Sequence, residues 1–332
     1  MEKHGGNITN FAKDIECKRE EVIDLSSNIN FVQPKIDIDF NKLNISSYPN
    51  YDRLYLAISK RYNISPKEIE LFNGATVGIH TLFRELNLNH CTLYAPIYGE
   101  YLHSAKTYGY DIKLINRLEN INEEIESNSL VIFVNPSTPD GKFYELDKLM
   151  KIWIEKRCTI LIDESFLDFT PYESAVKYLK SYNKLYILKS MTKFYSSAGM
   201  RIGAIFSIAT NIKTIKAKEP LWKISEFDAQ YLQSALRDES FVENSNRLNQ
   251  EAKAYLLTIL KRSPFVEKVY LSYANFILIK LKKIDAIELQ QRANIHKIMI
   301  RNCQNFDFLN RFFVRIAIKR CSDMEKLKKV FK

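Results

Sequence analysis

The chain has 332 residues, 46% of them hydrophobic and 27% charged, and a net charge of +10. That length exceeds one ordinary core and calls for a large and a smaller domain of a globular protein. Lysines are spread along the chain, with no basic patch interleaved with aromatics and no recognition motif; this excludes nucleic-acid binding and leaves compositional bias or attraction of small anions to explain the charge.

The amino-terminal residues MEKHGGNITN lack the apolar stretch of a signal peptide, and no apolar run approaches the ~18 residues of a membrane span. The cytoplasm is the expected compartment, with no membrane partner. Cysteines 17, 91, 158, 303 and 321 are odd in number and scattered, so neither a disulfide framework nor a metal site is expected.

Short apolar, β-branched runs alternate with helical patterns from residue 45 onward. The spacing predicts strands at 69–72, 91–95, 111–115, 130–134, 158–163, 185–189 and 201–206. Helical patterns fall at 52–62, 76–87, 99–108 and 145–156. Continuous apolar strands separated by helices predict a mostly parallel sheet covered on both faces, an α/β domain of three layers. One long helical region covers 225–262. Beyond it, VEKVYL (266–271), NFILIKL (275–281), KIMI (297–300) and FFVRIAI (312–318), with helices between and after, predict an α+β unit of antiparallel character. The large domain is placed at 45–235, and the small one at 236–332 together with 1–44.

Chemistry-bearing residues fall beyond the strand ends, where ligands sit in open α/β sheets. Asn73-Gly74-Ala75-Thr76 follows a strand and opens a helix. Glycine, free amides and the Thr hydroxyl there make either an anion cradle or an ordinary capped turn. Tyr98, in APIYGEY, is either a ring for stacking or a rim tyrosine. Asn135 to Gly141, NPSTPDG, forms a turn fixed by two prolines and a glycine. Asp163 ends the strand CTILID, where a carboxylate either pairs with a pyridinium nitrogen or caps a turn.

The segment SMTKFYSSAGMRIG (190–203) carries the strongest signal. Lys193 lies in a loop between two core strands, where a charged amine is costly to bury. A Schiff base with an aldehyde cofactor removes that cost. Ser190 and Arg201 nearby can hold a phosphate. The combination points to pyridoxal 5'-phosphate; a surface loop lysine is the plain alternative. Arg315 stands inside an apolar strand and needs a carboxylate, either a substrate's or a protein side chain's.

Together these segments resemble the fold-type I pyridoxal-phosphate enzymes over essentially the whole chain. Within that superfamily the sequence looks most like the threonine-phosphate decarboxylases, and next like the histidinol-phosphate aminotransferases. His4-Gly5-Gly6-Asn7, DLSSNIN (24–30), IMIRNCQNF (298–306) and FVRIAIK (313–319) carry the first likeness. The resemblance implies a homodimeric fold-type I transferase fold. Lys193 would hold the cofactor covalently, and Ser190, Arg201, Gly74, Ala75 and Thr76 would surround its phosphate. Tyr48 would reach that phosphate across the dimer interface. Asp163 would pair with the ring nitrogen and Tyr98 would stack on the ring. Arg315 would anchor a substrate anion, with Arg301 a further candidate, and the amino-terminal segment with His4 and Asn30 would close over the substrate phosphate. The implied reaction is decarboxylation of an O-phospho-amino acid, threonine phosphate or serine phosphate; amine transfer on a small phosphorylated amine or ketone is the alternative.

Two positions depart from the aminotransferase pattern. Thr138 stands where an asparagine usually contacts the cofactor's phenolic oxygen, and Phe166 where a tyrosine usually does. The phenylalanine agrees with the decarboxylase pattern.

Overall fold

The computed structural model describes residues 5–332, and its chain begins with a short helix, α1 (Ile8–Asp14), and a two-residue strand, β1 (Ile23–Asp24). Then come α2 (Asp52–Tyr62), β2 (Ile69–Asn73), α3 (Ala75–Glu85), β3 (His90–Ala95), α4 (Gly99–Thr107) and β4 (Asp111–Asn116). The central segment continues with β5 (Leu130–Val134), α5 (Asp147–Glu155), β6 (Thr159–Asp163), β7 (Leu185–Ser190), a single helical turn α6 (Met191–Phe194) and β8 (Ile202–Phe206).

Seven strands form one sheet in the order β2-β8-β7-β6-β5-β3-β4. Only β8 runs against its neighbours, pairing antiparallel with β2 and β7. Both faces of the sheet are dry. Leu71, Val131, Phe133, Ile160, Ile162 and Ile187 bury one face under α2 and α5. Phe72, Leu93, Ile132, Leu161, Leu188 and Ile205 bury the other under α3 and α4. The alternation of these residues along each strand is the period-2 pleat, and it makes the predicted three layers.

The reversal of β8 positions the site. Antiparallel neighbours need no long crossover, so a short connection carries the chain from Ser190 back to Gly203, which face each other in register. Lys193 is held in that connection. The predicted loop is a helical turn instead, tied by Ser197 N–H to the Thr192 carbonyl (3.2 Å) and by Asn30 N–H to the Lys193 carbonyl (3.0 Å). Four residues are too few for a 3.6-residue period to be visible in sequence.

After α7 (Ala209–Lys216), the predicted 225–262 helix is two helices, α8 (Glu226–Arg237) and α9 (Glu239–Arg262). Asp238 separates them and caps the second, accepting from Phe241 N–H at 3.0 Å. The remainder is β9 (Val266–Val269), β10 (Phe276–Leu281), α10 (Ala286–Asn294), β11 (Ile298–Met299), β12 (Arg301–Asn302), β13 (Phe313–Ala317) and α11 (Cys321–Leu327). Strands β12-β13-β10-β9 form an antiparallel sheet, and β1 returns to pair with β11. Leu25 is buried in the same cluster as Leu256, Ile279, Ile316 and Phe331, so the amino-terminal segment packs with the carboxy-terminal core. No helix among the described residues is long and apolar enough to cross a membrane.

Candidate active site

A cavity opens at the carboxyl ends of β5, β6 and β7, between the large sheet and β13. It is lined by Ala75, Thr76, Tyr98, Thr138, Asp163, Ser190, Lys193, Arg201, Arg301 and Arg315, all candidates read from the sequence. Residues spread over 240 positions thus meet in one place because the strand ends converge there.

Two glycines let one wall of the cavity close. Gly74 has φ +85, and a Cβ on it would lie 2.6 Å from the Arg201 guanidinium. A Cβ on Gly203 would lie 2.4 Å from the Ala75 nitrogen. Their bare backbones bring the start of α3 against β8 and beneath Arg201. Helix α3, whose first residues Ala75 and Thr76 line the cavity, has no side-chain cap for its first amides. Ser190 and Thr192 hydroxyls sit 2.8 Å apart on the same wall.

The Lys193 amine is desolvated. Burial, reinforced by the positive charges of Arg315 and Arg201, lowers its pKa to about 8. It has no ion-pair partner among the described residues. Asp163 is buried at the end of β6. Its Oδ2 accepts from Tyr101 Oη at 2.7 Å and its Oδ1 from Ser165 N–H at 2.8 Å. Burial raises its pKa, against the pull of those donors. Tyr98 stands directly before α4 and its hydroxyl hydrogen-bonds with Thr76.

Arg315 is the most exposed to chemical need. It is 8% exposed, and no carboxylate partners it among the described residues. It donates to Thr138 Oγ1 (3.2 Å) and the Ser26 carbonyl (2.9 Å), lies 5.2 Å over the Phe276 ring, and leaves Nε without a partner. Burial lowers its pKa to about 10. Thr138 is itself held by a buried ion pair: Arg117 bonds Asp140 at 2.7 Å and the Thr138 carbonyl at 3.0 Å. Phe166 lines the cavity edge-on to Phe276.

Two expected residues, Asn30 and Tyr48, lie elsewhere. Asn30 does not line the cavity. Its amide is consumed inside the protein, by the Phe194 carbonyl (2.8 Å), Ser245 Oγ (2.6 Å) and Asn249 (3.1 Å), so it braces the Lys193 turn rather than reaching substrate. Asn28, two residues earlier, lines the cavity with its Oδ1 buried and unpartnered. Tyr48 is away from the cavity, 74% exposed and stacked on Trp222 at 4.0 Å. His4 lies outside the described residues. Sequence reasoning also missed Tyr101 and Ser165. Their signal was the offset from Tyr98 and Asp163, three and two residues on.

Residues 20–332 match the aminotransferase class I and II family. The chain belongs to that family. It is similar to the threonine-phosphate decarboxylase of Salmonella typhimurium, with 26% identity over 98% of this chain and 94% of that protein. It is 29% identical to an adenosylcobalamin biosynthesis bifunctional protein of Leptospira interrogans; the match takes in 98% of this chain but 40% of that longer protein. The solved histidinol-phosphate aminotransferase from Clostridium acetobutylicum superposes with a TM-score of 0.83 at 30% identity, over 94% of this chain and 98% of that one.

Pyridoxal 5'-phosphate is the cofactor of this aminotransferase class I and II chain. The residues fit it on three counts: an amine of lowered pKa for the aldehyde, a glycine-lined helix start beside Arg201 for the phosphate, and a buried carboxylate for the ring nitrogen.

Proposed function

We propose that the protein decarboxylates an O-phospho-amino acid, threonine phosphate or serine phosphate, giving aminopropanol phosphate or ethanolamine phosphate and carbon dioxide. The observation that carries this reading is Arg315: a buried guanidinium with an unsatisfied nitrogen, facing the same cavity as Lys193 and lacking a protein carboxylate. A substrate anion supplies the missing partner. Arg301 lines the same wall, so a doubly anionic substrate meets two guanidinium groups.

When bound, the cofactor supplies an electron sink for the bond broken at the substrate's Cα. Asp163 would hold a protonated ring nitrogen, whose positive charge would offset the burial that raises the carboxyl's pKa. Arg301 and Arg315 would fix the orientation of the substrate at Cα. Holding the distal phosphate would decide which Cα bond is presented for cleavage, so phosphate binding would be spent on the reaction path. Lys193, whose pKa is lowered to about 8, would still carry a proton at physiological pH and would return it to Cα. Phe166 and Thr138 offer the ring's phenolic oxygen at most one hydroxyl, Thr138's, which already accepts from Arg315.

Catalysis by a homodimer is part of this reading. Tyr48, Trp222, Leu221 and Ile45 are exposed apolar groups, and a second copy covering them carries Tyr48 toward the partner's phosphate site.

Purified protein incubated with each phospho-amino acid, with and without 2-oxoglutarate, tests the proposal. Release of carbon dioxide and the amino-alcohol phosphate without the keto acid is expected. Amine transfer that requires 2-oxoglutarate, with no carbon dioxide, selects the aminotransferase reading instead.

A further inference from the structure

Two of the five histidines meet outside the cavity, where α3 packs on α4. His80 lies one turn beyond Thr76 on α3. Glu100 and His103, three residues apart, share one face of α4. His80 Nε2 is 3.7 Å from Glu100 Oε2, and the His80 and His103 ring centres are 5.9 Å apart. One ligand atom from each of the three residues lies within 4.8 Å of the others.

We propose that His80, Glu100 and His103 form a binding site for a divalent transition-metal ion of the zinc type. Two imidazoles and a carboxylate suit Zn²⁺, Ni²⁺ or Cu²⁺, and not Mg²⁺ or Ca²⁺, which take oxygen ligands. Ligand atoms around a tetrahedral ion with bonds of about 2.0–2.1 Å stand about 3.3 Å from one another. The His80–Glu100 separation is already near that value, and His103 closes the rest by side-chain rotation, since it is exposed. Its exposure also provides the entry path and room for water as a fourth ligand. The cysteine pattern carried no hint of this site, because its ligands come from two helices and no short motif joins them.

Position gives the ion a purpose. Helix α3 begins at the Gly74 turn, which the proposed function places beside the cofactor phosphate, and α4 begins directly after Tyr98. An ion joining His80 to Glu100 and His103 clips these helices together one turn behind the cavity wall. It holds the Thr76–Tyr98 contact and takes no part in the reaction itself.

The test uses untagged holoenzyme freed of metal by a chelator, then titrated with Co²⁺ as a spectroscopic probe and with Zn²⁺ in competition. The expected result is one ion per chain, with Co²⁺ bands of a four- or five-coordinate nitrogen-ligated site that Zn²⁺ abolishes. Zn²⁺ should also raise Tm. His80→Ala and His103→Ala, checked for unchanged Tm without metal, should each weaken binding by at least about 10-fold; His90→Ala and His296→Ala should bind as the parent does. Binding that survives both His80→Ala and His103→Ala overturns the proposal. So does the absence of Co²⁺ bands and of any Zn²⁺-dependent Tm shift, which would leave an ordinary polar contact between His80 and Glu100.

Discussion

Tyr101 donates a 2.7 Å hydrogen bond to the carboxylate of Asp163, with both side chains buried. The tyrosine stands one helical turn after Tyr98, so a single helix would place both the proposed stacking ring and the donor that orients Asp163, the proposed partner of the ring nitrogen. Tyr101→Phe keeps the packing and removes the donor. An unsatisfied buried carboxylate oxygen costs about 1–3 kcal/mol. The Asp163 pKa then rises further, because this bond is one of the contacts holding it down. Weaker retention of the cofactor and a turnover lower by roughly 10-fold, about 1.4 kcal/mol, are expected. Absorbance of the bound cofactor during dialysis reads the first effect. Retention equal to the parent's would show that Ser165 alone orients Asp163.

Lys193 gives a prediction with a definite sign. Its pKa in the folded, cofactor-free protein is lowered to about 8 from an ordinary 10.5. Below about pH 8 the amine is charged in both folded and unfolded chains, and the folded state bears the full desolvation cost. Between about 8 and 10.5 the unfolded chain binds more protons, so stability rises with pH. Above that window the cost is gone. Lys193→Met should therefore raise the Tm of cofactor-free protein at pH 7, and the gain should shrink as the pH climbs through the window. Paired melting curves at several pH values check this; a gain that stays constant with pH would mean the amine is solvated. The same variant should lose the visible absorbance of bound cofactor and all turnover.

The sequence made much of this site legible, for physical reasons that differ by residue. Lys193, Asp163 and the Gly74 turn stand at the ends of apolar strands, and strand ends in an open α/β sheet are recognisable by composition alone. Arg315 was conspicuous because a guanidinium in FFVRIAI has no local partner. Asn30 and Asn28 were not separable, since which of two nearby asparagines faces a cavity depends on loop contacts with Phe194, Ser245 and Asn275, more than 150 residues away. The split of α8 from α9 turned on Asp238, whose capping role only the local backbone decides. Tyr48 was chosen by resemblance, and in a single chain it rests on Trp222.

Asp140 tests how the Thr138 turn is held. Its carboxylate pairs with Arg117 where both side chains are 1–2% exposed, and it also accepts from Ser137 Oγ at 2.8 Å. Asp140→Asn leaves Arg117 buried without a counter-charge, an arrangement that costs about 3–5 kcal/mol. Denaturant unfolding should show that loss. Replacing both partners, Arg117→Met with Asp140→Leu, should recover much of it, because the pair's worth lies in mutual neutralisation. If the double variant is no more stable than Asp140→Asn, the pair is not the source of the loss.

Gly203 isolates the proposed phosphate wall from the rest of the site. A methyl group there would meet the Ala75 nitrogen at 2.4 Å and its Cα at 2.6 Å, both backbone atoms that cannot turn aside. Gly203→Ala must push α3 away from β8, and the strain of such overpacking is typically about 1–3 kcal/mol. The displacement falls on Ala75 and Thr76, so cofactor affinity should drop more than stability does. Lys193 is untouched, and covalent capture should still occur at high cofactor concentration. A titration of cofactor absorbance is expected to reach the parent's full amplitude with a raised midpoint. A lost amplitude would place the damage at Lys193 instead, and an unchanged midpoint would remove the start of α3 from the phosphate site.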